Sequence, residues 1–416
     1  MIKVCKFVGE SKDMYQAMQP MDRKLMREMN QNMLLNIIRA HAPISRTQLK
    51  KMSGLSLGTI VGMTAGLIEQ QLVVETGVAA STGGRKAGLL EIHPEGGYVI
   101  GIDLREHEII GAMLNLHGNV VYAESWPAPL RNRPSQAVDV IARGIETFIV
   151  HAQVPRHKIF GLGCGVSGSV NAQTGTSVDS WILNWHNVEL GRPLSECLNM
   201  PVFVDNAVNC LASYEKLYGN GQNYHNFLLI TLGRGLGMAA VIRDNLFRGA
   251  QGLGAEFGHI PFDVQGRQCE CGNRGCFEAY VANHGIFTTY RELCSTPTNI
   301  KAGEIGVTVI NDLFKQAQEG DALALQAFEL TGTYLGIGLA TLVNLFNPES
   351  IIINGGEEQW VNLLLAPMKE AMTQHVFSQL SNNLELIVSQ NTSLLNWARG
   401  AACLVLQDFF SVPSKL

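Results

Sequence analysis

The most distinctive chemistry in the sequence is a histidine followed by three closely spaced thiols. Glu256-Phe-Gly-His259 precedes Cys269-Glu-Cys271-Gly-Asn-Arg-Gly-Cys276-Phe-Glu278. One imidazole and three thiolates make a tetrahedral set with the composition of closed, structural zinc sites. Gly272 and Gly275 allow the tight turns that let all three sulfurs face one ion. His259, Cys269, Cys271 and Cys276 are therefore the expected ligands of a structural Zn2+, with no position left open for a substrate water. Nine cysteines, an odd number with three clustered, argue against a disulfide framework.

Three glycine clusters offer a second kind of chemistry. Gly233-Arg-Gly-Leu-Gly237 follows an apolar run, where backbone N–H groups could cradle a phosphate. A glycine-rich hairpin turn explains the same residues equally well. Gly161-Leu-Gly-Cys-Gly165-Val-Ser-Gly168 and Asn354-Gly-Gly356 carry the same two readings.

The elements that position these groups begin with a small basic head. Leu25, Met26, Met29, Met33, Leu34, Ile37 and Ile38 recur at helical spacing over residues 23–42, and Pro43 ends that run. Ser45 caps a second helix, Gly54 makes a turn, and Ser56 caps a third. Strands beginning at Leu72 and spanning 88–92 follow, so residues 21–93 are predicted to form a winged helix-turn-helix after an extension over 1–20. In such a unit the last helix enters the major groove. Ser56, Thr59 and Met63 would read bases, and Arg46, Lys50 and Lys51 would meet phosphates. Arg85 and Lys86, in the loop Gly83-Gly84-Arg85-Lys86, suit a phosphate or minor-groove contact, or else a solvated turn. The third helix has no Lys or Arg, and Gly54, Gly58, Gly62 and Gly66 repeat every four residues, a spacing that would permit close helix packing. Three helices that merely pack together are the alternative. Residues 1–93 hold 12 Lys+Arg against 7 Asp+Glu, whereas the remainder holds 19 against 29. A head of +5 on a body of −10 fits nucleic-acid contact through the head.

The body alternates strand-like runs (98–104, 109–116, 159–164, 202–204, 227–231, 238–242, 351–353) with amphipathic helices such as 134–152 and 322–346. This predicts two α/β lobes with mixed sheets, over 94–209 and 210–416, the C-terminal helices returning to the first. No uninterrupted apolar run approaches the ~20 residues of a membrane span, and the N-terminus has no apolar core. Membrane insertion is not expected, and a cytoplasmic location is.

With these motifs in order, residues 21–410 resemble the ROK family (repressor, open reading frame, kinase) of sugar kinases and sugar-responsive repressors. The resemblance rests on the head with its GGRK loop, GIDL, GLGCGVSG, VFVDNAVN, TLGRGLG, EFGH, CECGNRGCFE and NPESIIINGG. It implies a two-lobed, actin-like ATPase fold with sugar held between the lobes. It also implies sugar contacts from Asn206, Glu256, His259 and Glu278 and from the loop Gly165–Gly168, where Ser167 replaces a usual proline. His259 would use one ring nitrogen for zinc and the other for the sugar.

Two departures separate this chain from the family's kinases. Those carry Asn-Asp-Ala-Asn, whose Asp takes the sugar proton; here Asn206-Ala207-Val208-Asn209 puts a methyl at that position. General base catalysis is worth ~10²–10⁴-fold. The kinases' first phosphate loop, Asp-x-Gly-Gly-Thr, is replaced by Asp103-Leu-Arg105-Glu106-His107. A non-enzymatic transcriptional regulator is thus expected, controlled by a sugar or sugar phosphate and binding an operator in double-stranded DNA as a homodimer or dimer of dimers. The alternatives are an active sugar kinase, and a repressor controlled by a sugar-transporter protein. The latter would meet Trp397, Leu404, Leu406, Phe409 and Phe410 on the C-terminal helix.

Overall fold

The computed structural model describes residues 23–78, 88–296, 305, 307–355, 360–389 and 393–411. It divides into one unit holding the residues up to Gly96 together with those from Asp408 onward, and a second, Gly97–Gln407.

In the first unit, helix α1 (Arg23–His41) buries Leu34, Leu35 and Ile38. A two-residue strand, β1 (Ile44–Ser45), leads into α2 (Arg46–Ser53). Ser45 caps α2 by accepting the Gln48 N–H, and the Gln48 side chain returns to the Ser45 backbone. Gly54, at φ 71°, ends α2, and Ser56 caps α3 (Leu57–Glu69) by accepting the Thr59 N–H at 3.1 Å. Strands β2 (Val73–Val78) and β3 (Gly88–Ile92) pair antiparallel, and β1 adds to the far edge of β3. This is the element order expected of a winged helix-turn-helix. The tip of the hairpin, with Arg85 and Lys86, lies outside the described residues, as does the extension 1–20.

Among the described residues, nothing packs closely along the α3 glycines. A methyl group added at Gly54, Gly62 or Gly66 would meet nothing within 4 Å, and at Gly58 only the Ser56 hydroxyl at 3.9 Å. The buried stripe is Ile60, Thr64 and Leu67. Gly58 and Gly62 each lie two residues before a member of that stripe, about 200° round the helix. They therefore face away from the core.

The second unit opens on the antiparallel strands β4 (Tyr98–Leu104), β5 (Glu108–Asn115) and β6 (Val120–Pro127), followed by α4 (Ala137–Ala152) and β7 (Ile159–Val166). A small sheet of β8 (Ser169–Asn171), β9 (Thr176–Ser180) and β10 (Trp185–Glu189) precedes α5 (Gly191–Leu198), β11 (Val202–Asn206) and α6 (Ala207–Tyr218). The main sheet has the order β11-β7-β4-β5-β6, with β7 and β11 running parallel to β4.

The other lobe is built on β12 (Phe227–Leu232), β13 (Leu236–Ile242) and β14 (Asn245–Leu246). Helices α7 (Glu278–Val281), α8 (Asn283–Leu293), α9 (Val307–Gln318) and α10 (Ala322–Phe346) come next. β15 (Ser350–Asn354), α11 (Val361–His375), β16 (Glu385–Val388) and α12 (Leu395–Phe410) complete the chain. Its sheet reads β14-β13-β12-β15-β16.

Helix α12 does return to the first sheet. It lies so close to β7 that a methyl group at Gly163 would sit 1.8 Å from the Ala401 carbonyl oxygen. Of the residues considered for a transporter contact, Leu404, Leu406 and Phe410 are buried, and Trp397 and Phe409 are partly covered. Phe410 belongs to the first unit, where Arg39 stacks over its ring at 4.4 Å and the Asn36 side-chain amide donates to its carbonyl at 2.5 Å. No single described helix is long and apolar enough to cross a membrane.

Candidate functional site: an interlobe cleft beside a Cys3His cluster

Strand β11 and helix α6 meet at Asn206, and that junction organises the cleft. The Asn206 side-chain oxygen caps α6 by accepting the Val208 N–H at 2.7 Å, while its amide nitrogen donates to the Gly168 carbonyl at 2.6 Å. Gly168 turns at φ 92°, where a side chain would collide with the Asp179 carbonyl oxygen at 2.2 Å. Asn206, Gly168, Val170, Val208 and Asn209 form the first-lobe wall. Leu236, Gly237, Met238, Gly252, Gly254, Ala255 and Glu256 face them from the second. Between the walls lie about 30 Å³, room for one or two water molecules. The walls thus approach closely here, while Glu256 at the edge opens to solvent.

Of the expected sugar contacts, Asn206, Gly168 and Glu256 come together in this cleft. Gly165 does not: it lies inside β7, in register between Asp103 of β4 and Asp205 of β11. Ser167, in place of the usual proline, lies 3.1 Å from the Ser180 hydroxyl and so ties the turn to the end of β9. Crowding by the cleft walls raises the Glu256 carboxyl above the usual carboxylate range, against a lowering by His259 and a further raising by Glu278. Glu256 nevertheless opens to solvent, and that contact limits the rise. Glu278 stands behind the second-lobe wall, accepting the Leu236 N–H at 2.9 Å. Burial pushes its carboxyl up to about 7, against that hydrogen bond.

Two carboxylates near the cleft are held by cations of the chain itself. Asp205 is almost fully buried; one oxygen accepts from the Arg248 guanidinium at 2.8 Å and the other from the Asn209 amide at 2.9 Å and the Asn206 N–H at 2.8 Å. Asp103 accepts from Arg105 at 3.0 Å, and burial raises its carboxyl in spite of that partner. Ala207 begins α6, so no carboxylate occupies that position.

Next to the cleft, the ligand atoms of His259, Cys269, Cys271 and Cys276 lie within 4.8 Å of one another. His259 Nδ1 is 3.8 Å from the Cys269 sulfur, and the sulfurs of Cys271 and Cys276 are 3.6 Å apart. Thiolates 2.3 Å from one tetrahedral ion stand about 3.8 Å apart, so the donors fit a metal. Burial pushes the Cys269 and Cys276 thiols up, so a cation is what would hold them ionised. Nδ1 on the cluster side leaves Nε2 of His259 for another partner. Gly275, at φ 72°, brings its backbone so near Asp263 that a methyl group would sit 1.6 Å from the Asp263 carbonyl oxygen.

Arg267, which sequence reasoning passed over, fastens this loop. Its guanidinium donates to the Ala279 and Gly285 carbonyls, Thr289 and Glu292, and stacks on Tyr280 at 4.6 Å. Arg248 was missed as well. Both precede or interrupt motifs whose recognisable residues are glycines and cysteines, and a lone arginine gives no spacing signal.

In the head, Lys50, Ser56 and Thr59 are exposed, as is Lys51. Ser56 and Thr59 are hydroxyl partners at 2.8 Å. Arg46 is engaged internally, by Thr64 at 3.0 Å and Glu75 at 2.5 Å, and braces α2 against α3 and β2.

The family model described as the ROK family matches residues 99–408. The chain belongs to the ROK family. It is 30% identical over 394 residues to the xylose repressor of Bacillus subtilis (strain 168), covering 94% of this chain and 98% of that protein. It is 28% identical over 367 residues to the DNA-binding transcriptional dual regulator NagC of Escherichia coli (strain K12), covering 88% and 90%. Among solved structures, a ROK family transcriptional regulator described as a homolog of E. coli MLC protein superposes with a TM-score of 0.80 at 28% identity, covering 93% of this chain and 97% of that one. A ROK family glucokinase from Streptomyces griseus, in complex with glucose and AMPPNP, gives 0.60 at 26% identity, over 74% of this chain and 99% of that one. The repressor likeness thus spans the head as well as the body.

Proposed function

We propose that the chain is a transcriptional repressor that binds an operator through its head and is controlled by a sugar in the interlobe cleft, with phosphoryl transfer lost. The carrying observation is the state of Asp205 and Ala207, on either side of Asn206. Asp205 is locked by Arg248, Asn209 and its own neighbour's N–H, and Ala207 offers a methyl. Ala207 thus has no group to take a sugar proton, and Asp205 is buried and does not line the cleft. Asn206, Glu256 and the Gly168 carbonyl supply the donors and acceptors that polyols require. His259 and Glu278 flank them from the cluster side.

Zn2+ is the metal we assign to His259, Cys269, Cys271 and Cys276, in a structural role, because four protein donors close a tetrahedron. It would fix the loop carrying Glu256 and His259 against α7 and α8. In the head, the open glycine face of α3 and the exposed Lys50, Ser56 and Thr59 would meet DNA, together with Arg85 and Lys86 of the wing. Two heads on a two-fold dimer would meet half-sites about one helical turn apart. Sugar binds one lobe arrangement more tightly and so shifts the balance between arrangements. The protein acts in the cytoplasm, where its DNA lies.

Gel retardation of DNA from upstream of the chain's own gene tests this, with and without a panel of pentoses, hexoses and amino sugars. One sugar should change the retarded fraction. Indifference to every member of the panel would refute sugar control. The retained Gly233–Gly237 turn and the glucokinase likeness favour an active kinase as a second reading. Sugar-dependent release of ADP from ATP, abolished in Asn206→Ala, would establish it.

A further inference from the structure

The loop after β4 and the loop after β12 are joined by a single carboxylate. One Glu106 oxygen accepts from Arg234 of the second lobe at 2.8 Å, and the other from Arg131 of the first. Arg131 also donates to the Ile182 carbonyl at 2.6 Å, and its backbone N–H to the Glu106 carbonyl at 3.1 Å. Arg234 sits two residues before Leu236, which lines the cleft and is held by Glu278. On the preceding turn, Arg105 neutralises Asp103 in the same internal manner. The chain therefore balances two cations at the junction of these loops with an anion of its own.

We propose that Glu106 is a built-in counter-anion that keeps Arg131 and Arg234 from binding phosphate at the junction of these two loops. The inference goes beyond the sugar-cleft reading, because the charge arrangement stands by itself. Two guanidinium groups converging on one point form a planar, multidentate anion site. With Glu106 between them, that site is filled, and an incoming phosphate dianion meets a carboxylate instead. Burial alone would raise the Glu106 carboxyl, but the two arginines outweigh it and hold it below the ordinary range. It remains an anion at neutral pH. The Arg234 arm of the pairing spans the two lobes.

The test is isothermal titration of the full-length chain with inorganic phosphate and, separately, with ADP. Wild type should bind neither in the millimolar range. Glu106→Gln keeps the side-chain shape, removes the charge and leaves one oxygen, able to hold only one of the two guanidinium groups. It should gain phosphate affinity by at least about tenfold. Adding Arg234→Gln to that variant should abolish the gain. Phosphate binding by wild type as tight as by Glu106→Gln, or no gain in Glu106→Gln, would overturn the proposal. Should Glu106→Gln fail to fold, the wild-type titration still decides, because millimolar phosphate binding there is enough to refute it. Neither DNA nor sugar enters the experiment, so its failure is separable from failure of the operator reading.

Discussion

Asn206 has two separable jobs. Its oxygen caps α6 and its amide nitrogen faces the Gly168 carbonyl at the cleft. Asp caps helices as well as Asn does but brings no N–H. Asn206→Asp should therefore keep the cap but set an oxygen against the Gly168 carbonyl, weakening sugar binding about tenfold with a loss of about 1 kcal/mol in stability; Asn206→Ala should lose the cap as well, at about 1 kcal/mol more. Calorimetric melting alongside sugar titration would separate them. For the metal, Cys271→Ser should drop the zinc content from equimolar towards zero and cost at least about 2 kcal/mol, read by elemental analysis and denaturant unfolding. His284 gives the pH signature. It is 6% exposed, its Nε2 has no partner within the described residues, and burial lowers its pKa to about 4. The folded state keeps it neutral while the unfolded chain takes a proton below about 6.5. Stability is present above that value and lost as pH falls towards 4. The loss should be about 1–3 kcal/mol, and His284→Gln should flatten the slope of unfolding midpoint against pH over that window.

At the scale of elements, legibility followed burial. The runs 98–104 and 227–231 were readable because sheets covered on both faces demand continuous apolar residues, and β4 and β12 are buried almost throughout. The caps Ser45 and Ser56 were readable because a side-chain oxygen before an apolar stripe has one local use. β1, with two residues, and β9, with the polar sequence TSVDS, have no period to detect. The glycines of α3 misled because a four-residue repeat is a packing signal only on the buried face, and the buried face is set by Ile60, Thr64 and Leu67. The clustering of His259, Cys269, Cys271 and Cys276 was readable from spacing alone. The Glu106, Asp205 and Arg267 networks could not be seen, since each joins residues tens of positions apart. The α12 contact makes an element-scale prediction. Gly163→Ala would drive a methyl into the Ala401 carbonyl and push α12 off β4 and β7, at about 1–3 kcal/mol. The midpoint of urea unfolding should fall accordingly.

On the scale of the whole molecule, a basic head accompanies an acidic two-lobed body whose cleft walls enclose about 30 Å³. A ligand that prefers one lobe arrangement shifts the equilibrium by its differential affinity, whatever its size. The central claim is that cleft occupancy is converted into operator affinity with no chemical turnover. The most direct check is the fluorescence anisotropy of labelled operator DNA, titrated with the full chain at increasing concentrations of the sugar identified by retardation, in nucleotide-free buffer. The account predicts a saturable change of about tenfold or more in the DNA dissociation constant. A DNA affinity that stays constant across the sugar titration, or that changes only once ATP is added, would contradict it.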